Sequence, residues 1–172
     1  MTIKTNRLNL VPLSMEHLQT AYAYSSDPEI TKYMVFLPVD SIGETRQFIE
    51  DSQRELLKEA PEYYEFAVLL DGVHIGGASL YFDTVPNVGE LGWILLPEYQ
   101  GCGYATEAAR ALVAWGRDRF GVRRFIAHCD AENRASQGVM RRLGMTLVDD
   151  AGTRKNRGSD ELRREYLFEL SI

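Results

Sequence analysis

Residues Glu90 to Ala109, ELGWILLPEYQGCGYATEAA, decide the fold of this chain. Leu91 to Leu96 is a nearly unbroken apolar run, the pattern of a strand buried on both faces. Pro97 ends it, because proline has no N–H to give to a sheet ladder. Gln100, Gly101, Cys102 and Gly103 make a loop. Tyr104 to Arg119 then follows helical periodicity. Ala105, Ala108, Ala109, Leu112, Val113 and Gly116 fall on one broad face, with Glu107, Arg110 and Arg117 off it.

A helix start leaves backbone N–H groups unpartnered and carries partial positive charge. Phosphate oxygens satisfy both, and glycine lets an anion approach without a Cβ in the way. The expected ligand is a diphosphate cradled by the amides of Gly101, Cys102, Gly103, Tyr104, Ala105 and Thr106. A nucleoside-triphosphate loop needs a lysine after its last glycine, and here Tyr104 stands there. A dinucleotide fingerprint fits Gly101 and Gly103 but meets Thr106 where a third small residue belongs, although Asp130 lies at a suitable distance for the ribose. A helix capped by a loop that binds nothing is the remaining local reading.

Working outward, 172 residues suffice for one domain with a sizeable core. A net charge of −6 argues against general nucleic-acid binding, which needs a basic field. The basic clusters (Arg123-Arg124, Arg141-Arg142, Arg154 to Arg157, Arg163-Arg164) are short solvated faces, one or two of them suited to a further phosphate. No apolar run approaches membrane-spanning length, and the opening MTIKTNRLNL lacks a signal core, so neither membrane insertion nor export is expected. Cys102 and Cys129 have no metal-ligand spacing and no disulfide framework, which suits the cytoplasm and a site without metal.

Upstream, Thr5 to Leu13 alternates as a first strand, and Ser14 is a good N-cap for a helix to about Ser25. Asp27-Pro28-Glu29 reads as the start of a short second helix. Gly43 to Ala60 is amphipathic and helical. Tyr63 to Leu70 and Val73 to Phe82 form a hairpin about Asp71-Gly72, with Gly76-Gly77 marking a bulge. Downstream, Arg123 to Cys129 is a short buried strand, and Arg134 to Leu143 a helix closed by Gly144. Met145 to Val148 and Leu162 to Leu170 are closing strands, with a polar loop from Asp149 to Asp160 between them. An antiparallel hairpin feeding a β-α-β unit disfavours a doubly wound dinucleotide domain.

Gln100-x-x-Gly103-x-Ala105 resembles the Q/R-x-x-G-x-G/A signature of the GNAT superfamily of acetyltransferases. Asn133, Ser136, Val139 and Leu143-Gly144-Met145 resemble the segment after that family's fifth strand, with Met145 in place of phenylalanine. The opening T-x-R-L-x-L resembles the ribosomal-protein N-terminal (Rim-type) branch. The resemblance runs from Thr5 to Leu170 and implies one GNAT domain over residues 1–172. Its fold class is α/β (α+β): a mixed, mostly antiparallel sheet flanked by helices, whose parallel fourth and fifth strands splay apart.

By that resemblance, acetyl-coenzyme A is the co-substrate. Its pantetheine arm would pair with Trp93, Ile94 and Leu95, its diphosphate would take the loop from Gln100 to Thr106, and Asn133 would hold the arm. The acceptor is a primary amine, on a protein N-terminus or a small molecule, that attacks the thioester directly. Glu90 is the candidate general base, with simple solvation at the strand's start as its alternative. The family's usual proton-donating tyrosine is replaced by Met140, so the Rim-type likeness points to Ser136, with Tyr166 in reserve and His128 as an assistant. Tyr33, Met34 and Phe36 would border the acceptor. Dimers are common in the family, so a homodimer is also expected. A non-catalytic acyl-coenzyme A sensor is the competing function, and a dinucleotide oxidoreductase the third.

Overall fold

The computed structural model describes residues 1–82 and 84–172. Its elements are β1 (Ile3–Lys4), β2 (Leu8–Pro12), α1 (Leu18–Ser26), α2 (Ile42–Glu55), β3 (Tyr63–Leu70), β4 (Val73–Phe82), β5 (Val88–Leu95), α3 (Tyr104–Phe120), β6 (Arg124–Asp130), α4 (Arg134–Leu143), β7 (Thr146–Lys155) and β8 (Leu162–Ser171). The eight strands form one sheet in the order β1-β2-β3-β4-β5-β6-β8-β7. Every neighbouring pair is antiparallel except β5 and β6.

Alternation along β3 explains the layers. Phe66 and Val68 point to one face, where they meet Leu8, Leu10, Leu80, Leu91, Ala108, Leu112 and Phe125 beneath α3. Ala67 points to the other and packs with Leu13, Leu18, Ala21, Tyr24 and Ile49 beneath α1 and α2. A smaller cluster (Ala127, Cys129, Met140, Met145, Phe168) seats α4 on β6 and β8. Met140, which stands where a proton donor was sought, is fully buried there and serves packing.

The parallel ladder of β5 and β6 contains three pairs, Val88 with Arg124, Gly89 with Phe125 and Glu90 with Ile126. Beyond Glu90 the two strands part. Leu91 to Leu95 keep β4 on one side, while Ala127 to Asp130 keep β8 on the other. The expected splay is therefore present, and it changes one detail. Leu91 and Leu95 are buried, but Gly92, Trp93 and Ile94 are only half-buried, because the sheet opens beside them.

Two stretches differ from the sequence reading. Residues 27–40 form successive turns rather than a second helix. Asp27 Oδ1 accepts from the backbone N–H groups of Glu29 (2.8 Å) and Ile30 (3.3 Å), and Thr31 Oγ1 donates to the Asp27 carbonyl, so side chains take bonds that a helix would need. Residues 149–155, expected as part of a loop, extend β7, which pairs with β8 through two register shifts. The bulge near Gly76-Gly77 is present: Val68 pairs with Gly76 and Leu69 with His74, leaving Ile75 extra.

Candidate active site

The loop ahead of α3 turns on its glycines. Gly101 and Gly103 have φ of +74° and +83°, the left-handed region. The first helical bond runs from the Glu107 N–H to the Gly103 carbonyl at 3.0 Å. The amides of Tyr104, Ala105 and Thr106 therefore lie ahead of the helical ladder, facing outward as donors. Gln100 turns back, its Nε2 donating to the Leu95 carbonyl at 2.9 Å, which ties the loop to the end of β5. Cys102 is exposed at the loop's tip.

Sequence reasoning gave Arg7 no role, yet it braces this loop. Its Nε donates to Glu107 Oε2 at 2.7 Å and its Nη1 to the Cys102 carbonyl at 3.1 Å, with the guanidinium 4.4 Å from the centre of the Tyr104 ring. Thr5 Oγ1 donates to the same carboxylate at 2.6 Å. Its pairing with Thr5 and Arg7 holds Glu107 below the usual carboxylate range, against the opposing effect of burial. The T-x-R, which the structure places in the bend between β1 and β2 and not in a first strand, was the available signal. A cavity of about 660 Å³ adjoins the loop, lined by Lys4, Arg7, Gly103, Thr106, Arg110 and Arg142 among others. Arg142 Nε donates to Thr106 Oγ1 at 3.2 Å and Arg110 Nη2 to the Arg142 carbonyl at 2.8 Å. The cavity has the charge for phosphate.

From Glu90 to this loop the β6-facing edge of β5 has, among the described residues, no strand partner over Leu91 to Leu95. Five residues of strand span roughly 17 Å. Such an edge offers alternating N–H and C=O groups to an extended chain carrying amides, and the arm of coenzyme A is one. At the far end Glu90 meets His128, Oε1 to Nδ1 at 2.9 Å, with side chains 43% and 31% exposed. The hydrogen bond to Glu90 raises the His128 pKa, against the lowering effect of burial. Glu90 is thus neither isolated in apolar surroundings nor merely solvated. It is one half of a pair that the order of residues does not reveal.

Asn133 caps α4, its Oδ1 accepting the Ser136 N–H at 3.1 Å, so Oδ1 is occupied while Nδ2 is left for another partner. Ser136 is half-buried on the first turn. Neither residue lines either of the two cavities described here. Tyr166 packs beside Cys129 and Phe168, with Arg164 over its ring at 5.9 Å. Burial pushes the Cys129 thiol up to about 11, which suits packing rather than nucleophilic chemistry.

A second cavity, about 710 Å³, opens on the α1–α2 face of the sheet. Trp93, Ile94, Glu90 and His128 form its wall at the splay, and Met34, Val35, Phe36 and Leu37 cover it. Met34 and Phe36, two of the three residues expected to border the acceptor, line this cavity. Tyr33 is not among the lining residues, and Lys32 and Arg163 lie over its ring. Arg157 fastens the cover: its N–H donates to the Met34 carbonyl (3.1 Å), Nη1 to the Phe36 carbonyl (3.3 Å) and Glu44 (2.9 Å), and Nη2 to Asp40 (2.7 Å).

Comparison with known proteins bears on the family and the fold. Residues 7–146 match the family model described as an acetyltransferase (GNAT) domain. The chain is 32% identical over 149 residues to the uncharacterized N-acetyltransferase YnaD of Bacillus subtilis, covering 84% of this chain and 82% of that one. An acetyltransferase of the GNAT family from Bacillus anthracis superposes with a TM-score of 0.85 at 26% identity, over 99% of this chain and 98% of the other. RimL, a ribosomal-protein alpha-N-acetyltransferase solved in complex with coenzyme A, superposes with a TM-score of 0.88 at 20% identity, over 100% and 98%.

Proposed function

The chain belongs to the GNAT acetyltransferase family, and from that premise we propose that it carries an acetyl group from acetyl-coenzyme A to a primary amine held in the 710 Å³ cavity, on a small molecule or a protein N-terminus. The observation that carries the reading is the β5–β6 ladder, which stops at Glu90 and leaves an open slot between a glycine-turned helix start and a carboxylate–imidazole pair. The coenzyme supplies an activated acyl group with a thiolate leaving group. The rest belongs to this chain, acting as one domain in the cytoplasm.

The amides of Gly101 to Thr106 hold the diphosphate, with Gln100 and Arg7 keeping the loop in shape. The free edge at Trp93, Ile94 and Leu95 pairs with the pantetheine arm, and Asn133 Nδ2 donates to it. An N–H of that edge donates to the thioester carbonyl oxygen as negative charge gathers there. Glu90, through His128 or one water, removes the proton of the attacking amine. Ser136, in the positive field at the start of α4, returns a proton to the departing sulfur. The attack is direct, so no enzyme nucleophile is required.

A thiol-release assay over a panel of amines tests the activity. Glu90→Gln is expected to lower kcat by about 10²-fold and alter its pH dependence while sparing coenzyme affinity. An unaltered pH–rate profile removes Glu90 from the chemistry. Tight coenzyme binding with no thiol release across a broad panel favours the sensor.

A further inference from the structure

Besides Glu90, the acceptor cavity is lined by Glu44, Glu65 and Glu165, and Glu65 is the one of these with no ion pair among the described residues. Glu65 on β3 projects from the same sheet face as Glu90, and both line the cavity. The register fixes their relation: Glu65 pairs with Ser79, Tyr81 with Glu90, and Ser79 with Gly92. The two carboxyls thus sit two strands and two residues apart, a separation of roughly 8–12 Å from sheet spacings. The Tyr81 hydroxyl stands between them and donates to Glu65 Oε1.

What distinguishes Glu65 is its want of a countercharge. Arg154 is ion-paired with Glu165 at 3.1 Å and donates through Nε to Asn156, and Arg157 is paired with Asp40 and Glu44, so neither arginine is paired with Glu65. Glu90 has His128. Glu65 has one hydroxyl donor and, among the described residues, no basic partner. A half-buried carboxyl without a cation is an unfavourable arrangement that a cationic ligand relieves. In keeping with this, burial pushes the Glu65 carboxyl up to about 8 against the opposing hydrogen bond from Tyr81. Gly77 and Gly92 leave the sheet surface beside these groups low, and Met34 to Leu37 and Phe48 make the opposite wall apolar. That shape suits an extended aliphatic chain with polar ends.

The geometry points to an acceptor with two cationic groups, an α,ω-diamine or an elongated amine of that type, whose reacting end is deprotonated at Glu90 and His128 while its far ammonium is held by Glu65 and Tyr81. This deepens the acetyl-transfer reading and rests on it for the fate of the reacting end. The bond balance is unchanged: the near nitrogen forms the amide bond, the thioester C–S bond breaks, and the proton lost by nitrogen ends on sulfur. The far ammonium takes no part in bonding changes.

The test compares 1,6-diaminohexane with hexylamine, in wild type and in Glu65→Gln and Tyr81→Phe, by thiol release and by calorimetric binding to the coenzyme-loaded protein. In wild type the diamine is expected to exceed the monoamine in kcat/KM by at least 10-fold. In Glu65→Gln that ratio falls toward one, mainly through KM, and calorimetric diamine affinity falls by a similar factor. Tyr81→Phe, which keeps the carboxyl, lowers the ratio by a few-fold and covers the case in which Glu65→Gln does not fold. A wild-type ratio near one overturns the assignment, and so does a ratio that both variants retain. If no amine is turned over but diamine binding is present and lost in Glu65→Gln, the transfer reading fails and the two-cation site stands. If monoamines are turned over and diamine binding is indifferent to Glu65, the reverse holds.

Discussion

Replacing Gly103 by valine tests whether the α3 loop grips the coenzyme. Gly103 has φ +83°, where a Cβ costs about 1–2 kcal/mol and a β-branched residue at least that. An added Cβ would lie 3.6 Å from Arg7 Nη2, an ordinary contact, so the folding cost is that of the backbone alone. For a chain of this length such a cost lowers Tm by roughly 2–8 °C. A loop that relieves the strain by rotating also moves its donors, and one lost charge-assisted hydrogen bond of about 1.5–3 kcal/mol raises Kd roughly 10- to 100-fold. Gly121 provides the control. It has φ +69° at the other end of the same helix, with nothing within 4 Å of its Cβ position. Gly121→Val should show a similar loss of Tm with no change in coenzyme Kd. Calorimetric titration of both variants with coenzyme A decides the matter. Equal affinities for wild type and Gly103→Val would refute the phosphate-loop assignment, and equal losses in both variants would show that the effect is global destabilisation.

Other outcomes follow from side chains on the opposite face. Arg157→Ala removes the fastening of residues 34–40 and should raise the acceptor KM several-fold while leaving coenzyme affinity unchanged; an unchanged KM would mean that the cover does not contribute to acceptor binding. His74 is held at about 4, below its ordinary 6.5, by burial and by His17 at 4.9 Å, against a bond to the Gly76 carbonyl. The unfolded chain therefore takes up this proton first on acidification. The stabilisation is complete above about pH 6.5 and declines as pH falls toward 4, by on the order of 1–2 kcal/mol after allowance for partial exposure. Urea midpoints measured across that window should fall in wild type and fall less in His74→Gln; parallel curves would exclude His74 as the cause.

Local chemistry was legible where one residue type has few alternatives. Asp71-Gly72 announced a hairpin, and both residues take positive φ there. Gly101 and Gly103 were read as a loop open to an anion before a helix, and their positive φ is a second reason for glycine there. Residues 27–40 were misread because Asp-Pro-Glu is a good helix opening, whereas the Asp27 side chain and Thr31 hydroxyl closed turns instead. The second half of β7 was misread because an edge strand exposed along most of its length loses the apolar alternation that identifies strands. The site was half visible. Glu90 stood out by its place on the central strand, but its partner His128 is 38 residues away. Glu65 and Tyr81, separated by 16 residues, meet only through the register of β3 and β4. Arg7 was quoted within a motif, and only the packing of the first strands against α3 revealed what it holds.

The early end of the β5–β6 ladder has a consequence beyond chemistry. A sheet cut short in its middle has two halves joined by three residue pairs at one end, much like a hinge with a wedge-shaped mouth. In the proposed reaction the co-substrate would lie in that mouth as an extra strand, and a ligand that binds only the folded protein adds RT ln(1 + [L]/Kd) to its stability. Each turnover on that reading would withdraw the wedge with the spent carrier. On that reading the molecule would alternate between a braced and an unbraced state at the pace of its own reaction, and its resistance to heat would follow the supply of acyl donor.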